Sequence, residues 1–579
     1  MNKNSPDYLN NLRHSTAHLL AAAVMQIWPD TKRTIGPAID NGFYFDFEFA
    51  SPISESDLKR IDQKMREILK SWKSFERHEL DAESAKKEYP NNPYKHELIE
   101  EFTKDGQKVS FYKSGEYWDL CRGGHVEHPS DELRHFKLLS IAGAYWRGDE
   151  KNTMLTRIYG TAFPTKEELE KHLWLIEEAK KRDHRKLGKE LDLFTFSDLV
   201  GSGLPLYTAH GALIRRLLTN YVESIQSKQN YTQVWTPQIA KAELFKRSGH
   251  YDKYKGDMFR VISNYSDDEF FLKPMNCPQH TQIYASKPRS YRDLPLRLTD
   301  FAMLYRDEKP GELSGLARVR SFSQDDCHVF CREDQVDEEV DRALAMIKQI
   351  MDKFGFKYRY RLSTRDPEHM EKYLGDPAVW DKLEAWAVKI MERNNIEYFD
   401  GPGEAAFYGP KMDLMATDAL GREWQLSTVQ IDMVQPNRFE LVYSDKDGTD
   451  HTPVMIHRAM IGSPERFMMI LIEHYAGAFP LWLSPVQVAV LPISEKFNEY
   501  AKSVHQQLVD ADIRVELDDS NETLGKKIRN WEKKKSPYIL VLGQREDETK
   551  QVAVRKRSEG DKGSSTVQDF IKQLQTELS

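Results

Sequence analysis

The densest run of reactive groups lies between Tyr305 and Cys331, in YRDEKPGELSGLARVRSFSQDDCHVFC. Pro310–Gly311 and Ser314–Gly315 mark a loop between two strand-like pieces, which predicts an antiparallel hairpin. Side chains on a strand alternate faces with period two. Arg318, Arg320, Phe322, Gln324, Asp326 and His328 therefore project to one face. Such a polar and aromatic row makes a poor core face. An exposed edge hairpin with solvated charges is the plain structural reading. The functional one is an extended ligand needing cations at one end, a stacking ring in the middle and a polar grip at the other. From Phe322 to His328 the row covers about 20 Å at roughly 3.4 Å per residue, the reach of a nucleotide joined to a small acid.

Soft and borderline metal ligands stand out at Cys277 in KPMNCPQH, His328 in QDDCHVF and His457 in VMIHRAMIGSPERF. Taken singly, each is ordinarily structural. Together, a thiolate and two imidazoles leave zinc one or two open positions, the arrangement of a catalytic ion. Cys327 and Cys331 sit at odd positions, facing away from His328, and read as packing residues. Near the start, His14-Ser-Thr-Ala-His18 places two imidazoles on one helix face, and Cys121-Arg-Gly-Gly-His125 repeats the spacing. By spacing alone this pair of motifs suggests a tetrahedral zinc site.

These groups need several scaffolds. The 579 residues suit three or four domains at about 150 residues each. Residues 1–164 read as mixed helix and strand, with Ser15–Met25 helical and Gly42–Phe47 extended. Residues 165–190, TKEELEKHLWLIEEAKKRDHRKLGKE, read as one charged connecting helix. Residues 191–482 hold many short apolar runs. From 483 to 579 strands at Val486–Ile493, Ile513–Leu517, Tyr538–Leu542 and Gln551–Val554 alternate with helices, a small α/β domain. The fold class is thus multidomain, α+β followed by α/β. The start lacks a signal-peptide core, and the apolar stretch around Phe467–Leu483 is broken by Glu473, His474 and Pro480, so no membrane span is expected. Four cysteines form no disulfide framework, which points to a reducing, cytoplasmic compartment. The net charge of −8 does not itself announce nucleic acid. Basic clusters at Lys180–Arg182 with Arg185–Lys186, at Lys526, Lys527 and Arg529, at Lys533–Lys535 and at Arg555–Arg557 allow it, since phosphate neutralisation is local. Each cluster could equally be a solvated helix face.

Arg306, Glu308, a loop and then R-x-R-x-F-x-Q-x-D resemble motif 2 of the class II aminoacyl-tRNA synthetases. Residues 211–237 resemble motif 1, a long helix leading to a strand that ends at Pro237. GSPERF at 462–467 resembles motif 3, with Ser463 and Pro464 opening a helix. The resemblance assigns Arg306 to the ATP α-phosphate, Arg318 and Arg466 to the β- and γ-phosphates, and Phe322 to adenine stacking, with Glu308 and Gln425 also at the nucleotide and Mg2+ bridging phosphates. It implies a homodimer built on motif 1.

Cys277, His328 and His457 look like the zinc site of threonyl-tRNA synthetases, where the ion binds the amine and hydroxyl of L-threonine. A pocket rejecting valine by shape gains only about 10²-fold, whereas one requiring a hydroxyl reaches roughly 10⁴–10⁵. By the same resemblance Asp326 holds the hydroxyl and Tyr408 the amine. Gln324 and Gln425 line the pocket with Met275 and Ser463, and His250 joins Gln324 and the arginines in catalysis. Serine offers the same two groups and lacks one methyl, worth only about 1–3 kcal/mol, so a second, editing site is expected. His14, His18, Cys121 and His125, with Lys95 and Asp119, resemble the domain that hydrolyses seryl-tRNA. That family commonly has Pro where this chain has Gly124, which loosens the loop. The C-terminal domain resembles an anticodon-binding module, with Arg555, Lys526 and Arg529 as RNA-side candidates for tRNA(Thr). Many members begin with a ubiquitin-like domain; here the editing segment starts almost at Met1, so that domain is expected to be missing. The rival readings are a synthetase for another amino acid, such as proline or serine, and a non-catalytic RNA-binding regulator.

Overall fold

The computed structural model of the chain describes residues 5–104 and 106–578. They group into two compact units divided between Glu177 and Glu178. In the first, the helix Pro6–Ile27 starts at Ser5, whose hydroxyl accepts from the Tyr8 amide, with Pro6 at the position where a missing N–H costs nothing. Its middle is buried on nearly every side, from Leu12 through Val24, because it lies against a sheet containing Gly42–Glu48, Met154–Ala162 and Phe136–Tyr145 and against Ile61, Met65 and Trp72. A second small sheet, Glu76–Leu80, Val109–Ser114 and Tyr117–Leu120, carries Asp119 and leads to Cys121.

The second unit is built on an eight-stranded sheet. Its central strands are Leu296–Asp300, Asp326–Cys331, Val454–Ala459 and Glu423–Asp432, antiparallel throughout. The helices Ala209–Lys228, Val336–Phe354 and Pro464–His474 cover it and share its largest core. The last strand-and-helix layer, three parallel strands flanked by an antiparallel pair, encloses its own core around Val488, Leu540 and Phe570.

Three sequence expectations change. The stretch 165–190 is two helices, Lys166–Arg182 and His184–Glu190, because Asp183 leaves helical geometry at ψ 119° and caps the second with its carboxylate. The polar row from Arg318 to His328 is not one strand. Ser321–Ser323 pairs with Met303–Tyr305, and Asp326–Cys331 joins the large sheet. A strand at Gly560–Thr566 closes the last sheet, where the polar sequence GDKGSST has no apolar alternation to betray it.

Candidate active sites

Two neighbouring strands of the large sheet place His328 and His457 directly opposite each other in register. Their rings meet at His328 Nε2 and His457 Nδ1, 3.1 Å apart. The helix Cys277–Ala285 opens on Cys277, and donor atoms of all three residues lie within 4.8 Å of one another. The outer nitrogens are held as well. His328 Nδ1 lies 2.7 Å from His280 Nδ1, and His457 Nε2 donates to Asp432 Oδ2 at 2.8 Å. Partners of this kind fix which imidazole nitrogen stays free for a metal. A soft thiol, two oriented imidazoles and full burial fit a zinc ion. Burial also raises the Cys277 thiol well above its ordinary pKa, so a bound cation would have to stabilise the thiolate.

These three residues form one wall of a cavity of about 350 Å³ that Arg306, Glu308, Arg318, Phe322, Gln324, Asp326, Tyr408, Gln425, Ser463, Arg466 and Met275 also line. The alternation inferred from the sequence survives the strand break, since Arg318, Phe322, Gln324, Asp326 and His328 all face it. Arg320 does not follow them. Its guanidinium donates twice to the Glu308 carbonyl, at 2.8 and 3.0 Å, and fastens the loop. The odd-numbered Asp325 turns the other way and accepts from the Met460 and Ile461 amides at 2.6 and 3.1 Å. Burial pushes its pKa up to about 7. Arg306 lies over the Phe322 ring at 5.1 Å. Arg466 sits in the first turn of Pro464–His474, a helix capped by the Ser463 hydroxyl. Burial and the nearby Arg306 and Arg318 lower its pKa. A guanidinium crowded by two others is relieved by an anion between them, so the cluster suits an anion such as phosphate.

At the metal end, Tyr408 stacks on His457 with centroids 4.6 Å apart, and Asp326 is pushed up to about 6 by burial against the pull of His457. His250 is fully buried behind this wall, its Nε2 3.2 Å from Met275 Sδ and 3.5 Å from Cys277 Sγ. Burial lowers its pKa to about 3, so it is a neutral imidazole. Sequence reasoning missed Lys411, Thr428 and Gln430 on the cavity wall, as well as His280 and Asp432 behind it. None carries a local motif. It also missed Glu465, whose carboxylate accepts from the Ser323 amide at 3.0 Å and meets Arg215 of the Ala209–Lys228 helix at 3.4 Å, tying motifs 1, 2 and 3 together.

In the first unit the two short motifs converge. His14 and His18 Nε2 atoms are 3.2 Å apart, and Cys121 Sγ is 3.5 Å from His14 Nε2 and 3.3 Å from His125 Nε2. Burial lowers the pKa of all three histidines, that of His125 to about 3. His14 Nδ1 donates to the Gly124 carbonyl at 3.1 Å, which leaves Nε2 as an acceptor facing the cluster. Gly124 reaches that contact at φ +83°, a conformation closed to proline. Lys95 and Asp119 stand one layer deeper, 2.9 Å apart and both buried. Asp119 also meets Arg33 at 3.1 Å and accepts from Tyr89 and Tyr117 at 2.5 and 2.8 Å. Burial would raise this carboxylate, but Arg33 and Lys95 hold it far below the usual range.

The RNA-side candidates lie on different elements. Lys526 and Arg529 are exposed on the helix Leu524–Lys533, Lys526 paired with Glu522 at 2.6 Å. Arg555 belongs to the strand Gln551–Lys556, opposite Asp561. Lys527, from the same basic cluster, is buried and donates to the Pro492 and Asp518 carbonyls.

Comparison with known proteins agrees with this geometry. Residues 259–475 match the class II tRNA synthetase core domain (G, H, P, S and T), residues 487–577 an anticodon binding domain, and residues 109–159 the second additional domain of threonyl and alanyl tRNA synthetases. The fold is therefore that of a class II aminoacyl-tRNA synthetase. The threonine–tRNA ligase of Rubrobacter xylanophilus is 50% identical over 578 residues, covering 99% of this chain and 90% of that one. That of Gloeobacter violaceus is 50% identical over 591 residues, covering 100% and 94%. A solved structure of the RNA binding domain of threonyl-tRNA synthetase from Cryptosporidium parvum superposes with a TM-score of 0.65 at 39% identity, covering 68% of this chain and 98% of that one. The chain belongs to the threonine–tRNA ligase family. Among the described residues no helix is long and apolar enough to cross a membrane.

Proposed function

We propose that the chain joins L-threonine to the 3′ end of tRNA(Thr) through a threonyl-adenylate, converting ATP to AMP and diphosphate, and that its first unit hydrolyses Ser-tRNA(Thr). The observation that carries the reading is the cavity itself, which Cys277, His328 and His457 line together with Arg306, Arg318 and Arg466. Phe322 stacks adenine, Arg306 grips the α-phosphate, and Arg318 and Arg466 the β- and γ-phosphates, with magnesium arriving on the nucleotide. A threonine carboxylate oxygen attacks the α-phosphorus in line. The bond from that phosphorus to the β-bridging oxygen breaks, and diphosphate leaves with the electron pair. The arginines lower this barrier by positioning and by meeting charge where it accumulates. Cys277, His328 and His457 would hold a zinc ion, which would supply a Lewis-acid grip on the substrate amine and hydroxyl that valine cannot satisfy. Asp326 accepts the hydroxyl proton in a hydrogen bond, and Tyr408 faces the amine. The terminal ribose hydroxyl then attacks the carbonyl carbon and AMP departs; neutral His250, whose Nε2 lies 3.2 Å from Met275 Sδ on the cavity lining, is our candidate proton acceptor.

In the first unit, a water held by the neutral histidines attacks the seryl ester carbonyl, the bond from the acyl carbon to the ribose oxygen breaks, and the water's proton passes by way of a histidine to that oxygen. The same four atoms also favour a second reading, a tetrahedral zinc site. Zinc content distinguishes them, since water positioning predicts one zinc per chain, unchanged in His14→Ala/His18→Ala. The exposed apolar residues Leu199, Leu206 and Trp235, close to motif 1 in the sequence, support a two-fold homodimer, which sedimentation tests. We assign editing to 1–164, the connector to 165–190, the catalytic domain to 191–482 and the anticodon-binding domain to 483–579, with Arg555, Lys526 and Arg529 on the tRNA side, in a cytoplasmic enzyme. ATP–pyrophosphate exchange decides the main reaction. Exchange with threonine, weakly with serine and not with valine, is expected; silence with threonine refutes it. For editing, seryl-tRNA hydrolysis must fall in the double histidine variant.

A further inference from the structure

The basic run KKRDHRK contains one residue that neither RNA nor the connector explains. His184 opens the helix His184–Glu190 and is 5% exposed. Its Nδ1 donates to Glu473 Oε1 at 2.7 Å, and its own amide donates to the same oxygen at 3.1 Å. The other Glu473 oxygen is taken by Arg422. With the ring proton on Nδ1, Nε2 is left as an acceptor, and it receives the Leu316 amide at 3.1 Å. Leu316 is the tip of the motif 2 loop, in a tight turn where the Ala317 amide returns to the Ser314 carbonyl at 2.9 Å. The fit is close. Gly315 holds φ +50°, and a β-carbon there would stand 2.0 Å from His184 Nε2.

Two short steps lead from this contact to the phosphate end of the cavity. The Ala317 carbonyl accepts from Arg466 Nε at 3.1 Å. Arg318, next along, is braced by Glu308 and Glu312, each at 2.8 Å. The same junction also holds the far end of the helix that begins beside Arg466, because Arg182 donates to the His474 carbonyl at 3.0 Å.

We infer that His184 is a positioning residue for ATP, fixing the turn at Leu316 so that Arg318 and Arg466 present their guanidinium groups together. The inference rests on the reading of these arginines as the β- and γ-phosphate grip. It assigns the end of the connector a part in nucleotide binding, with the metal end of the cavity untouched.

The test is steady-state ATP–pyrophosphate exchange by the full chain, with ATP and threonine varied separately. His184→Ala raises the KM for ATP about tenfold, the scale of one lost positioning hydrogen bond, and leaves the KM for threonine within about twofold. His184→Gln, whose side-chain oxygen can still accept from Leu316, recovers most of the ATP affinity. His184→Asn, which keeps a donor toward Glu473 but falls short of the loop, does not. Gly315→Ala gives the ATP defect with His184 intact. An unchanged ATP KM in both His184→Ala and Gly315→Ala overturns the inference, and so does a parallel rise in both KM values. A wild-type chain without threonine-dependent exchange would instead refute the parent reading of the site.

Discussion

Replacing His280 should weaken zinc binding without touching a ligand, and the size of the effect follows from proton placement. His328 turns Nε2 toward His457 Nδ1 at 3.1 Å, so Nε2 is the nitrogen that must be free for the ion. The ring proton then sits on Nδ1 and is donated to His280 Nδ1, 2.7 Å away. His280 in turn carries its own proton on Nε2, a fully buried atom with no hydrogen-bond partner among the described residues. That orphan costs about 1–3 kcal/mol, a cost balanced here by the orientation it imposes on His328. His280→Leu leaves the His328 N–H without an acceptor and frees the ring to take the wrong tautomer. Zinc affinity should fall about 10- to 100-fold, the usual consequence of removing such a partner. His280→Asn can place an oxygen near the former Nδ1 and should recover affinity to within a few-fold. Competition against a chromogenic chelator measures the dissociation constant. Zinc-dependent thermal stabilisation, which scales as RT ln(1 + [Zn]/Kd), checks it independently. Equal affinity in wild type and His280→Leu would refute the tautomer argument, whatever the catalytic rates.

Asp119→Asn should destabilise the first unit by about 3–5 kcal/mol, because Lys95 and Arg33 keep their buried charges and lose the carboxylate between them; a thermal transition that stays put would contradict this. Gly211→Ala brings a β-carbon within 1.7 Å of the Leu193 carbonyl. Since backbone cannot yield as a flexible side chain does, a loss of about 3 kcal/mol is expected, read as a lower denaturant midpoint at unchanged slope. The first unit should also weaken in mild acid. His125 is depressed from 6.5 to about 3 by burial, so below pH 6.5 the unfolded chain binds the extra proton and the folded one does not. Stability is therefore full above pH 6.5 and lost as pH falls toward 3, by about 2 kcal/mol at pH 5 from this group alone. Calorimetry showing a first-unit transition equally stable at pH 5 and pH 7 would exclude buried neutral histidines.

What was legible in the sequence was whatever chemistry a short period exposes. The strand alternation from Arg318 to His328 put the cavity-facing side chains on one side, Arg320 excepted, and the i, i+4 spacing put His14 with His18. Caps read equally well, since Ser463 and Pro464 open their helix as expected. The strands Val488–Pro492 and Tyr538–Leu542 were equally plain, because each is an apolar run bounded by turn residues. Period fails where an element changes partner without changing pattern. Ser321–Ser323 and Asp326–Cys331 keep one alternation across two sheets, so the break between them leaves no trace in residue type.

The second layer was illegible for a different reason. His328 and His457 meet because two strands 129 residues apart pair in one register, and a one-residue slip would turn one ring to the opposite face. Sequence shows the candidate ligands but not the register, so it cannot show the partners that register brings behind them. His280 behind His328 is one polar residue among several in CPQHTQ, Asp432 behind His457 looks like any polar residue at the end of a strand, and Glu473 looks like a break in a hydrophobic helix. Each is paired in the core with a side chain distant in the sequence. Much of the cavity lining was therefore readable residue by residue, with Lys411, Thr428 and Gln430 the exceptions. The positioning of that wall depends on buried polar pairs, and only the three-dimensional arrangement reveals them.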